Sequence, residues 1–169
     1  MTQSPLRNRA EPDAIGDVAQ FGLGATVELL LVYCVLTFFF HFAWEVLQTP
    51  FFARMPTMSH WAATLVCLKA TIGDVGIALA AFAAGSWWSH KLHWTRTPSW
   101  QAISVFLAVG VAATIAFEWY AVSWANRWAY SEAMPIVPVL RVGIAPILQW
   151  IVLPPLVIYF VRRHRLSFS

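Results

Sequence analysis

Four stretches of this chain, about 27–47, 61–88, 101–125 and 143–161, run almost unbroken through apolar residues. Each is close to or longer than the ~20 residues needed to cross ~30 Å of hydrocarbon at 1.5 Å per residue. Inside a bilayer the backbone must satisfy its own hydrogen bonds, which leaves helices or closed barrels. Barrel strands alternate apolar and polar residues, and these runs are continuous. The expectation is an all-α, polytopic membrane protein with four transmembrane helices. Composition agrees: 59% of the 169 residues are hydrophobic and only 11% are charged, against roughly 25% charged in a soluble domain. Residues 1–22 are polar, with Pro5, Arg7, Arg9 and Pro12, and read as a tail with one short interfacial turn near Ala14–Phe21. Residues 23–169 read as a single four-helix domain. The first run is too long for a signal-peptide core, and no small-residue cleavage site follows it. Cys34 and Cys67 both fall inside apolar runs and read as small buried hydrophobes.

Basic residues orient the chain. Arg7, Arg9, Lys91, Arg96, Arg162, Arg163 and Arg165 fall on the tail, the middle loop and the C-terminus, whereas the other two loops hold only Arg54, Arg127 and Arg141. Such a bias puts both termini in the cytoplasm and the chain in the cytoplasmic (inner) membrane. Trp44, Trp61, Trp124 and Trp128 would then mark the outer interface, and Trp87, Trp88, Trp94 and Trp100 the inner one. The net charge is only +3 and sits at helix ends, so no nucleic-acid partner is expected. The expected surroundings are the lipid bilayer.

Polar side chains inside the spans cost about 2.5–3.5 kcal/mol each at the bilayer centre and ask for a reason. His41 and Glu45 are four apart on the first span and share a face. Lys69 and Asp74 lie on the second span, Glu118 on the third and Gln149 on the fourth. At 1.5 Å per residue Asp74 falls near mid-membrane, Gln149 roughly 4 Å outward and His41 roughly 6 Å. Glu118, Lys69 and Glu45 follow at roughly 7, 8 and 11 Å. All four helices thus feed one slab between the middle and the outer leaflet, and the inner half holds nothing comparable. The economical reading is one polar cavity that opens outward. Gly73 and Gly76 flank Asp74 and permit close approach, and Pro146, Pro154 and Pro155 interrupt the fourth span. The segment from Arg127 to Tyr130, continuing to Met134, Pro135 and Pro138, reads as a lid whose guanidinium reaches back to Glu118 or Glu45.

Each of these residues also has a plainer reading. His41 suits a satisfied core histidine, Glu45 a solvated rim carboxylate, and Lys69 a snorkelling cation. Arg127 and Tyr130 suit interface anchors. Ion pairs between Lys69 and Asp74, and between Arg127 and Glu118, would explain much of the set as structural bracing. No metal and no cofactor is expected. Bis-histidine haem ligation needs two facing imidazoles, and only His41 lies clearly inside a span. Di-iron bundles repeat a Glu-x-x-His pair that this chain lacks. Phosphate loops and nucleophile elbows are missing as well.

The stretches HFAWEVLQTPFF (41–52), KATIGDVGIA (69–78), RWAY with the following MP (127–135) and PILQWIVLPP (146–155) resemble a family of small bacterial four-helix integral membrane proteins. That resemblance implies the fold and no activity. A second resemblance joins His41, Glu45, Glu118 and the Gln149-Trp150…Pro154 pattern to the sterol-isomerase-like (EXPERA-type) four-helix membrane fold. It implies Glu118 with His41 and Glu45 as proton donor and acceptor, and Trp150 over a carbocation. The chain departs from that pattern, because Gln149 stands directly before Trp150 rather than three residues ahead, and because Asp74 falls in a different helix order.

Three functions fit. The first is acid–base chemistry, an isomerisation or cyclisation, on a small lipophilic or isoprenoid-like substrate. Glu118, Asp74, Glu45 and His41 would be its catalytic residues, and Gln149, Trp150, Lys69, Arg127, Tyr130 and Trp119 would bind the substrate. The second is a proton- or cation-coupled transporter that uses the same carboxyls. Four spans scarcely form a pathway in one protomer, so that reading needs a homodimer. The third is a structural or assembly subunit.

Overall fold

The computed structural model describes residues 14–164, so the proline- and arginine-bearing tail before Ala14 and Arg165 after it lie outside the described residues. Four helices carry the chain: α1 (Ala14–Leu47), α2 (His60–Ser89), α3 (Trp100–Ser123) and α4 (Ile144–Arg163). All four are long and apolar enough to cross a membrane, α1 over Gly22–Leu47. Two single 3-10 turns, Thr49–Phe51 and Met55–Thr57, follow α1, and a hairpin of two-residue strands pairs Ile136–Val137 antiparallel with Val142–Gly143. The helices begin and end where local chemistry dictates. Ser59 caps α2 by accepting from the Ala62 amide, and Ser99 caps α3 through Ala102. His90 closes α2 in the left-handed region at φ 54°. The segment Ala14–Phe21, expected as a turn, is helical, and Gly22 breaks it from the rest of α1 with φ 78°. Only glycine adopts that conformation without steric cost.

Helix α1 packs against α2 and α4, and α3 packs against the same two, which sets α2 and α4 on a diagonal. At the end holding the α2–α3 loop the bundle is closed. Trp94, expected as an interface anchor, folds back into the core and is 1% exposed. Its indole donates to the Phe82 carbonyl and packs between Phe82 and Phe106, with centroids at 5.8 and 5.5 Å. Gly85 makes the room, since a Cβ there would lie 2.9 Å from the indole. Leu29, Tyr33, Ala78, Val157 and Ile158 complete this aromatic and aliphatic layer.

Polar groups nonetheless occupy that end, contrary to the one-sided slab expected. Thr26 bonds His93 across 3.0 Å, His164 meets Glu28 at 2.9 Å, and Arg96 donates to the His164 carbonyl. They tie the α2–α3 loop and the end of α4 to the start of α1.

At the other end the helices part, and the two loops there are clasped together. The Ala53 amide donates to Ala129 and the Ser131 amide to Phe51, both at 2.9 Å, around a bridge between Phe52 and Tyr130. Ser131 Oγ adds a bond to the Pro50 carbonyl. Beneath this clasp lies the cavity.

Candidate functional site: a polar cavity under the clasped loops

The cavity measures about 610 Å³ and takes walls from all four helices and both clasped loops. Among its lining residues are Glu45, Lys69, Asp74, Glu118, Arg127, Gln149 and Trp150. Helical geometry explains the gathering on α2. Val66, Lys69, Ala70, Gly73, Asp74 and Ile77 recur at intervals of three and four and so form one stripe along the cavity. Val66, Lys69 and Gly73 are also exposed, as is Phe117 on α3. No atom outside the glycine's immediate surroundings comes within 4 Å of where a Gly73 Cβ would stand. The cavity therefore opens sideways between α2 and α3, at the level where the bilayer would lie. Its floor is Trp150, 1% exposed and seated so closely on Gly110 that a Cβ there would lie 2.2 Å from the ring.

One hydrogen-bonded centre joins three helices. The Gln149 amide nitrogen lies 2.8 Å from Asp74 Oδ2 and 2.8 Å from His41 Nδ1. Its two N–H groups serve one acceptor each, which assigns the neutral imidazole proton to Nε2. His41 Nδ1 is itself 3.2 Å from Asp74 Oδ2, so a proton placed there would be donated straight to the carboxylate. The imidazole is held edge-on to Trp150 at 5.3 Å. His41 is thus buried and fixed, but its partners are a carboxylate and an amide that line the cavity.

The second centre is Glu118. Its Oε2 accepts from the Tyr130 hydroxyl in a short bond and from Trp128 Nε1 at 3.3 Å. The expected lid thus reaches Glu118, though through Trp128 and Tyr130 rather than through Arg127. Asn126 turns the chain at φ 46°, and residues 127–129 carry no regular structure before the bridge at Tyr130. Arg127 lines the same cavity, but among the described residues it makes no ion pair with Glu118. Tyr130 is further pinned by its bridge to Phe52. Burial, then the Glu118 charge, pushes the Tyr130 phenol above its ordinary range, so it stays a donor. The third carboxylate, Glu45, accepts from Gln48 at 2.7 Å.

The expected bracing does not form. Among the described residues, no ion pair joins Lys69 to Asp74 or Arg127 to Glu118. Residues five apart stand about 140° apart around a helix, which parts Lys69 from Asp74. Trp119 is likewise not in the cavity wall. It is 49% exposed on the outer face of α3 and packs against Trp124 at 5.9 Å. Trp128, expected as an interface anchor, is a donor to the site. Gln48 and Thr114 were not expected in the site, and both residues line the cavity. Gln48 Oε1, Thr114 Oγ1 and Trp150 Nε1 are buried and have no hydrogen-bond partner among the described residues. Among the described residues, no group of three or more His, Cys, Asp or Glu could hold a metal ion.

Comparison with protein-family models, with curated proteins and with solved structures finds nothing that matches this chain.

Proposed function

We propose that this chain is a multi-pass protein of the cytoplasmic membrane, both termini cytoplasmic, whose cavity performs acid–base chemistry on a small lipophile. The observation that carries this reading is one cavity of about 610 Å³, open sideways, holding three carboxylates bonded to neutral donors. Cavities of this size suit ligands of drug or lipid dimensions. Carboxylates without cationic partners can exchange protons with a substrate rather than remain locked in ion pairs. In an isomerisation, the Asp74–His41–Gln149 centre would add a proton to one carbon of a double bond. Glu118 would remove one from a neighbouring carbon, so the double bond shifts with no net change in atoms or electrons. The Trp150 ring would steady the intervening positive charge.

Against a conduit, the aromatic layer of Phe82, Trp94 and Phe106 stands between this cavity and the polar groups at the other end. Against a braced structural subunit, the two expected ion pairs are not formed. The test compares neutral-lipid extracts of cells lacking the protein with cells carrying wild type or Glu118→Gln, by chromatography that separates isomers. A species seen only with wild type is the expected result. Identical extracts, with wild type verified in the membrane, would overturn the reading.

A further inference from the structure

The three carboxylates of the cavity are already bonded, but its three cations are not. The clasp that ties Ala53 to Ala129 brings Arg54 and Arg127, from two different loops, to one lip of the cavity. Lys69 lies on the open side of the same cavity, two turns into α2. Among the described residues none of these three pairs with a carboxylate, although Glu45 and Glu118 line the same space. Tyr130 and Trp128 instead bond Glu118, and Gln48 bonds Glu45. The cavity wall therefore carries three exposed, unpaired cations beside a largely apolar chamber, whose lateral opening runs between Val66 and Phe117.

We propose that the cavity takes an anionic amphiphile headed by a phosphate. The headgroup sits among Arg54, Arg127 and Lys69, and the hydrocarbon chain lies in the chamber and leaves between α2 and α3. This deepens the acid–base reading by naming its substrate class. Two guanidiniums on one lip match phosphate oxygens bidentately, and Lys69 adds a point charge. An uncharged lipophile would leave all three cations without a partner. A cationic one would meet three unpaired cations in the wall of the same cavity.

The test uses the purified full chain in an uncharged detergent, with radiolabelled dodecyl phosphate at concentrations well below that of the detergent. Saturable binding at about one per chain is expected, with dodecanol and dodecyltrimethylammonium failing to displace it. Inorganic phosphate should displace it poorly, because the chain supplies much of the affinity. Arg54→Gln with Arg127→Gln should weaken binding about tenfold or more, while Arg54→Lys with Arg127→Lys should recover part of it. The proposal fails if the glutamine pair binds as wild type does, or if dodecanol or the ammonium competes equally. It fails too if inorganic phosphate competes as well as the amphiphile, which would make this a free-phosphate site. Glu118→Gln separates this from the chemistry: binding that survives while no wild-type-specific lipid is ever found would sink the acid–base reading alone.

Discussion

Gly110→Ala is the smallest change that tests how the cavity floor is built. The added methyl would lie 2.2 Å from Trp150 Cε3 and 2.4 Å from Cζ3. Carbon atoms pack at about 3.5–4.0 Å, so the ring or the helix must shift by more than 1 Å. The cleft that the indole lines with Tyr33, Thr37, His41 and Phe106 is too narrow to admit a water molecule, so the ring can yield only toward the cavity it floors, at the expense of its seat. Overpacking of this kind costs about 1–3 kcal/mol, and so severe an overlap belongs at the top of that range. Replacing a helical glycine with alanine returns roughly 1 kcal/mol, which leaves a net loss of about 2 kcal/mol. In thermal unfolding at a fixed scan rate in detergent, that corresponds to a midpoint about 4–8 °C lower, at 2–4 °C per kcal/mol for a chain of this size. Gly73→Ala is the control. It is the same chemical change on an exposed helix position with nothing within 4 Å, and its midpoint should hold or rise. Trp150→Phe removes the two clashing carbons. The Gly110→Ala/Trp150→Phe pair should therefore lose at least about 1 kcal/mol less than the sum of its single variants. A Gly110→Ala midpoint at or above wild type, or strict additivity, would refute the seating of Trp150 on Gly110.

Three further outcomes follow from the cavity walls. Tyr130→Phe leaves the buried Glu118 with Trp128 alone and should cost about 1–3 kcal/mol, read as a lower thermal midpoint. The phenol titrates above its ordinary value in the folded chain because of burial and the nearby Glu118 charge. Its contribution is therefore intact below pH ~10 and lost as the pH climbs toward the folded value. Wild type should lose more stability than Tyr130→Phe between pH 9 and 11, and parallel curves would count against the bond. Gln149→Leu should cost about 1.5–3 kcal/mol, since Asp74 and His41 both lose their shared donor. Asp74→Asn, which keeps an acceptor there, should cost less, and the reverse order in the two midpoints would argue against the bridge. Gly73→Leu places a side chain in open space at the cavity wall, so the midpoint should change little while dodecyl phosphate binding falls. Undiminished binding would mean that the entrance lies elsewhere.

The four helices were legible because a continuous apolar run long enough to cross a bilayer admits few other structures. Depth along each run placed Glu45, Asp74, Glu118 and Gln149 in one slab, and all four line one cavity, with His41 bonded to Gln149 beside it. Rotation about each helix axis was not legible. The helices are apolar nearly all round, so no polar stripe says which face turns inward, and Trp119 was placed in the site when it faces out. Lys69 and Asp74 line one cavity, but their five-residue spacing puts them at opposite edges of the α2 stripe. Loop-borne contacts were equally hidden. Nothing in the Arg127–Tyr130 stretch announces that Trp128 and Tyr130, rather than Arg127, bond Glu118. Glu28 offered a signal that was overlooked, a carboxylate inside the first apolar run, thirteen residues before His41. Its partner His164 lies at the far end of the described chain and could be found only by folding.

The two ends of the bundle differ for one physical reason, and it bears on the chemistry. Where the helices close, bulky rings sit on glycines: Trp94 on Gly85, and Trp150 on Gly110 as the floor above it. Where they part, Gly73 has no ring upon it, and hydrogen bonds between loops do the holding. Polar groups occupy both ends, but between them the packed layer of Tyr33, Phe82, Trp94 and Phe106 offers no carboxylate or imidazole that could pass a proton. On the proposed reading, protons must then be exchanged between the substrate, Glu118 and the Asp74–His41 centre, or through the mouth. A reaction that returns as many protons as it takes suits such a site best. That condition is met by a double-bond shift or a cyclisation ended by proton loss, and it is not met by net protonation or by transport across the layer.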